Sequence, residues 1–173
     1  KIVKGPVSVE GVGETADQLV KDAREFSKWA TNVVAKVPMT AEGLKVVRIL
    51  EKDGIRTNVT LVFSAGQALL VAKAGAAYCS PFVGRLDDVS ENGMHLIEEI
   101  LDIYKAYGFK TEIIVASVRS PMHVVESARI GAHIATVPPE IFEKLFKHPL
   151  TDKGIAQFAE DYKKAQESVK GRK

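Results

Sequence analysis

The chain has 173 residues, 46% of them hydrophobic, and a formal net charge of +2, which fits a folded protein with a buried core and excludes a largely disordered one. Basic residues are interspersed with acidic ones, apart from the short terminal run Lys170 to Lys173, so no nucleic-acid footprint is expected. The longest apolar runs, such as Val59 to Phe63 and Ile113 to Ala116, fall far short of the about 20 residues that a membrane-spanning helix needs, and no membrane association is expected.

In chain order, Val- and Ile-rich runs at Pro6 to Glu10, Asn32 to Val37, Thr57 to Phe63, Ala77 to Phe82, Glu112 to Val118 and His133 to Val137 predict strands, each ending near Gly, Pro, Ser or Asn. The segments between them carry apolar residues at helical spacing. Examples are Leu19, Ala23, Phe26 and Ala30, and Met94, Ile97, Ile100, Leu101 and Tyr104. Thr40 and Ser120 stand where helices should start, with Pro121 at a first helical position, and Gly54, Gly75, Gly108 and Gly131 stand where helices should stop. Thr151 to Ser168 predicts one more amphipathic helix. Strict alternation of strand and helix means parallel strands joined by right-handed crossovers, hence an α/β fold, either a (βα) barrel of TIM type or an open doubly wound sheet. No linker or shift in composition divides the chain, so residues 1–173 are expected to form a single domain.

The start, Lys1-Ile2-Val3-Lys4-Gly5, has neither an apolar leader region nor a cleavage site, and the one cysteine, Cys79, has no partner for an internal disulfide. A reducing cytoplasm is the expected location.

Alternate positions on a strand face the same way. One face of successive strands then collects Pro6, Ser8 and Glu10; Asn32, Val34 and Lys36; Asn58, Thr60 and Val62; Tyr78, Ser80 and Phe82; and Ile113, Val115 and Ser117. In a (βα) barrel the C-terminal ends of the strands build the active site. A lysine inside Val33-Val34-Ala35-Lys36-Val37-Pro38 is the sharpest feature: a desolvated amine loses its proton more easily and can attack a carbonyl carbon. An edge-strand lysine snorkelling to water is the alternative, and Glu10 on the matching face of the neighbouring strand favours the nucleophile. In Ser80-Pro81-Phe82-Val83-Gly84-Arg85 the guanidinium of Arg85 is suited to a phosphate, and Ser117 with the amides opening the Ser120-Pro121 helix complete a candidate anion site. His95, His123, His133 and His148 show no metal-ligand spacing with one another or with Cys79, and are read as packed or surface histidines. Asp87-Asp88 is read as a solvated or helix-initiating pair, and Cys79 as a structural thiol on the helix-facing side of its strand.

Four ordered stretches, Asn32-Val-Val-Ala-Lys36-Val-Pro-Met-Thr40-Ala-Glu-Gly-Leu, Thr57-Asn-Val-Thr60-Leu-Val-Phe-Ser, Ser80-Pro-Phe-Val-Gly-Arg85-Leu-Asp-Asp and Ala116-Ser117-Val-Arg119, resemble the small transaldolase and fructose-6-phosphate aldolase family. The likeness runs through essentially the whole chain. By that resemblance Lys36 is the Schiff-base lysine, Glu10 and Thr60 hold the catalytic water for proton transfer, Arg85 and Ser117 bind phosphate, and Asn58 and Ser80 complete the substrate site. The implied reaction transfers a dihydroxyacetone unit between sugar phosphates, with no metal or organic cofactor. Glutamate at position 10 and phenylalanine at position 82 are the transaldolase-like choices; fructose-6-phosphate aldolase activity is the alternative. The resemblance places the start of this chain at the family's third strand, so six βα units are expected: an incomplete barrel with little or no catalysis, or one completed by another chain. The partner in that case is a second copy pairing exposed sheet edges, or an N-terminal fragment.

Overall fold

The structure is a computed structural model that describes residues 2–170. Its elements run β1 (Val7–Glu10), α1 (Ala16–Phe26), β2 (Val33–Pro38), α2 (Ala41–Lys52), β3 (Thr57–Val62), α3 (Ala65–Ala74), β4 (Tyr78–Pro81), α4 (Val83–Asp87), α5 (Gly93–Tyr107), β5 (Glu112–Val115), α6 (Pro121–Arg129), β6 (Ile134–Ala135), α7 (Pro139–Lys144) and α8 (Pro149–Lys170). They fall into two compact units, Lys1–Val137 and Pro138–Lys173.

In the first unit all six strands are parallel and stand in sequence order, β1 to β6. Nearest-neighbour order with a helix on every crossover is barrel winding; a doubly wound sheet would reverse its order part-way. The unit is therefore a curled partial barrel of TIM type. The caps obey local chemistry. Thr15, Thr40, Ser64 and Ser120 each accept a hydrogen bond from the backbone three residues on, satisfying helical N–H groups that have no intrahelical partner. Gly75 and Gly108 close α3 and α5 in the left-handed region at φ 91° and 62°, a conformation that costs glycine least.

The core lies between the convex face of the sheet and the helices. Val9, Ala35, Val37, Val59, Cys79, Ile113 and Val115 alternate outward from the strands, and Leu19, Val46, Val47, Leu50, Val71, Ile97 and Ile100 cover them from the helices; every one of these except Val9 is at most 2% exposed. Cys79 therefore has the helix-facing place expected of it. The Tyr104 hydroxyl beside it donates to Ala68 O at 2.7 Å. Burial pushes the Cys79 thiol up to about 12, against a smaller opposing effect of the Tyr104 hydroxyl, and burial also drives Tyr104 upward.

A thiol whose folded pKa is raised contributes stability that is whole below its unfolded value and is lost as the pH climbs toward the folded one. Stability is expected to fall by about 1 kcal/mol per pH unit between roughly pH 9 and 12 relative to a Cys79→Ser chain. Paired denaturant titrations across that range check this, and native Cys79 should resist alkylation at pH 8.

The second unit holds α7 and α8. Phe142 and Phe146 pack edge to face at 5.3 Å. The 22-residue α8 buries no residue and carries Ile155, Phe158, Tyr162 and Val169 exposed at spacings of three, four and seven. The predicted start and end of this helix extend by two residues each way. No helix among the described residues is long and apolar enough to cross a membrane.

Candidate active site

A cleft of about 510 Å³ opens on the concave face of the sheet. β1 contributes Ser8, with Pro6 just before the strand, β2 Lys36, β3 Asn58 and Thr60, and the β4 segment Tyr78, Ser80 and Phe82. Parallel register explains how they meet. Glu10 pairs with Lys36 and Lys36 with Asn58, so three side chains stand in one row across β1, β2 and β3. Lys36 Nζ donates to Glu10 Oε2 at 2.8 Å. Both groups stay in reach of solvent, the lysine side chain 26% and the glutamate 46% exposed, so the amine is half-buried at the cleft wall rather than enclosed.

Behind the lysine lies a polar chain. Ser80 Oγ donates to Asn58 Oδ1 at 2.7 Å, and Asn58 Nδ2 donates to Ser8 Oγ at 3.1 Å. The second contact spans β2, from a first strand to a third. Neighbouring strands lie about 4.8 Å apart, so β1 and β3 would stand about 10 Å apart in a flat sheet. Only inward curling brings them to hydrogen-bond distance, in the manner of barrel layers built from alternate strands. Ser8 thus joins the site, and its place on the Glu10 face was the signal for it.

Thr60 is 1% exposed, and its Oγ1 has no hydrogen-bond partner among the described residues. A buried hydroxyl left so costs about 1–3 kcal/mol, and such a group is accounted for by a ligand or an ordered water. Thr60 faces the cleft that Lys36 also lines.

Strand alternation fails in two places. Leu61 adopts φ 59°, the β3–β4 register shifts between Val59 and Val62, and Val62 turns into full burial away from the cleft. On β5 the expected phase is wrong by one: Ile114 and Ala116 line the cleft, while Ile113 and Val115 are wholly buried under the helices. Ser117 still reaches the cleft because it sits at φ 59°, a left-handed turn that resets the face beyond the strand. Non-glycine residues pay about 1–3 kcal/mol for such backbone and cluster at functional sites. Ile134 and Thr136 complete the wall; the two-residue β6 leaves little alternation from which to predict them.

Arg85 does not line the cleft. It lies exposed on α4 with its guanidinium 5.1 Å above the ring of Phe82, which does. Its neighbour Gly84 donates its N–H to Ser117 O at 3.1 Å. A Cβ at Gly84 would collide with that oxygen and with the Arg119 side chain, so glycine is required for α4 to approach the Ser117 turn. The pair Asp87-Asp88 is tied down rather than simply solvated: Asp87 Oδ1 accepts from Gly93 N at 3.0 Å, Asp87 Oδ2 meets His123 Nε2 at 2.9 Å, and Asp88 is ion-paired with Arg119. His133 Nδ1 accepts from Ile113 N at 3.2 Å. Among the described residues no three His, Cys, Asp or Glu side chains converge as a metal site requires.

A profile described as Transaldolase/Fructose-6-phosphate aldolase matches residues 1–169. The chain belongs to this family. A protein named probable transaldolase from Methanococcus maripaludis is 62% identical over 161 residues, covering 93% of this chain and 75% of that protein. One of the same name from Lactiplantibacillus plantarum is 56% identical over 170 residues, covering 98% and 78%, and one from Thermoanaerobacter is 54% identical over 165 residues, covering 95% and 76%. Membership in this transaldolase and aldolase family makes the chain a transferase by family and agrees with a cleft on the concave face of a curled (βα) sheet.

Proposed function

We propose that the cleft carries out transaldolase-type transfer of a dihydroxyacetone unit between sugar phosphates through a Schiff base on Lys36. The observation that supports it most is the juxtaposition of Lys36 Nζ with the Glu10 carboxylate at 2.8 Å: Lys36 lines the cleft and Glu10 stands at its rim, and the cleft also holds the Thr60 hydroxyl, which has no hydrogen-bond partner among the described residues. The ammonium passes a proton to the carboxylate, and the freed amine attacks the C2 ketone of a ketose phosphate. Glu10 then returns the proton through a water held by Thr60, the C2 hydroxyl leaves as water, and an iminium remains. Cleavage of the C3–C4 bond, with the C4 hydroxyl proton passing through the same water to the Glu10 carboxylate, draws the bonding pair toward the iminium and releases an aldose phosphate. The dihydroxyacetone enamine left on Lys36 adds to an acceptor aldehyde, and hydrolysis frees the amine. Asn58 and Ser80 face the sugar hydroxyls; Ser117 from the cleft wall and Arg85 from beside Phe82 serve the phosphate.

Borohydride reduction in the presence of fructose 6-phosphate tests this. A three-carbon or sugar adduct on the Lys36 peptide is expected, together with transfer to erythrose 4-phosphate. A folded protein that is left unlabelled sinks the reading, while adduct formation with release of free dihydroxyacetone and no transfer identifies the aldolase alternative.

A further inference from the structure

We infer that His123 is a positioning residue that holds the Ser117 turn in its binding shape, acting with Asp87 from outside the cleft. The inference rests on the reading of Ser117 as a phosphate ligand. Ser117 sits at φ 59°, a conformation a serine does not keep unaided, and both flanks of the turn are fixed by neighbours. On one side Val83 N–H donates to Ala116 O at 3.0 Å, and Gly84 N–H donates to Ser117 O at 3.1 Å. On the other, two residues on, Arg119 N–H donates to His123 Nδ1 at 3.3 Å.

A backbone N–H can only donate, so Nδ1 must carry a lone pair and the imidazole proton must lie on Nε2. That nitrogen is 2.9 Å from Asp87 Oδ2, and the other oxygen of Asp87 is anchored by Gly93 N–H at the start of α5. A chain of contacts runs from Gly93 through Asp87 and His123 to Arg119, ending at the strained turn. The imidazole is only 14% exposed, and its own backbone is secured to Ser120 Oγ and Ser127 Oγ. The ring is thus rigid enough to dictate where Arg119 N–H, and with it Ser117, must lie. A carboxylate that fixes a histidine tautomer through the far ring nitrogen is an established device for holding the near nitrogen in one role.

The test compares His123→Ala, His123→Asn and Asp87→Asn with Ser117→Ala, reading the KM for fructose 6-phosphate, the inhibition constant of inorganic phosphate, and the half-saturation of borohydride trapping by dihydroxyacetone, which lacks a phosphate. His123→Ala is expected to raise the first two about tenfold, the loss of one hydrogen bond to a charged group, with kcat and the dihydroxyacetone value unchanged. His123→Asn should recover most of the loss, because its Oδ1 can accept from Arg119 N–H. Asp87→Asn presents one acceptor where two N–H groups need one each, which favours the other tautomer and shifts the phosphate-dependent values the same way; it carries the test if His123→Ala does not fold. The inference is overturned if Ser117→Ala raises KM and the histidine and aspartate variants do not, or if their effects are equal with dihydroxyacetone, as a merely structural role predicts. If Ser117→Ala itself shifts neither phosphate value, the reading of Ser117 fails and takes this inference with it.

Discussion

Lys36→Met is expected to reduce transfer between fructose 6-phosphate and erythrose 4-phosphate by roughly 10⁴-fold or more and to abolish borohydride labelling, since among the described residues no second amine lines the cleft to form an imine. Methionine matches the lysine stem in length and branching, so the space beside its register partner Asn58 stays filled. Loss of the ion pair should move stability by no more than about 1 kcal/mol, because both partners remain partly in water, and a denaturant titration checks that the variant is folded. Lys36→Arg sharpens the result. It keeps the positive charge opposite Glu10, yet a guanidinium is always protonated and forms no imine under these conditions. Equal inactivity of both variants, with inorganic phosphate still bound, would assign the loss to covalent chemistry rather than to charge. Substantial activity in Lys36→Arg would exclude the Schiff base.

Glu10→Gln should have the second-largest effect. A carboxamide keeps the size and the hydrogen-bonding oxygen but cannot take a proton from the amine or return one to the leaving C2 oxygen. Removing a general acid and base costs about 10² to 10⁴ in rate. The loss should fall on kcat, with phosphate inhibition unaltered and imine trapping slowed but not eliminated. Solvent isotope effects before and after substitution give an independent measure, since proton transfer becomes slower in the variant. Wild-type rates in Glu10→Gln would transfer the proton role to another group, with Thr60 and its water the next to examine.

Much of this architecture was legible in the residues. Hydrophobic alternation with interposed helical spacing located all six strands, and cap chemistry at Thr40 and Ser120 located two helix starts. Lys36 and Glu10 were paired from strand position alone, and the register brings them together. This worked because β2 is regular over its whole length, so period two carries through from Val33 to Lys36. The β5 face failed for the opposite reason: the strand pairs over only four residues and then turns left-handed at Ser117, and no local pattern announces a serine with positive φ. Arg85 was correctly placed after β4 but not at the cleft wall, because α4 directs it over Phe82.

Sequence by itself determined the alternation of strand and helix, the caps at Thr40 and Ser120, the family resemblance and the shared face of Glu10 and Lys36, since these depend on local propensity and on which residues must leave water. Tertiary structure alone decided that Ser8 meets Asn58 across β2, that Thr60 is buried without a partner among the described residues, and that Asp87 and His123 converge on the Ser117 turn. Those contacts depend on how far the sheet curls and where two residues depart from strand geometry. Both are set by the packing of helices on the convex face, a balance summed over many distant side chains.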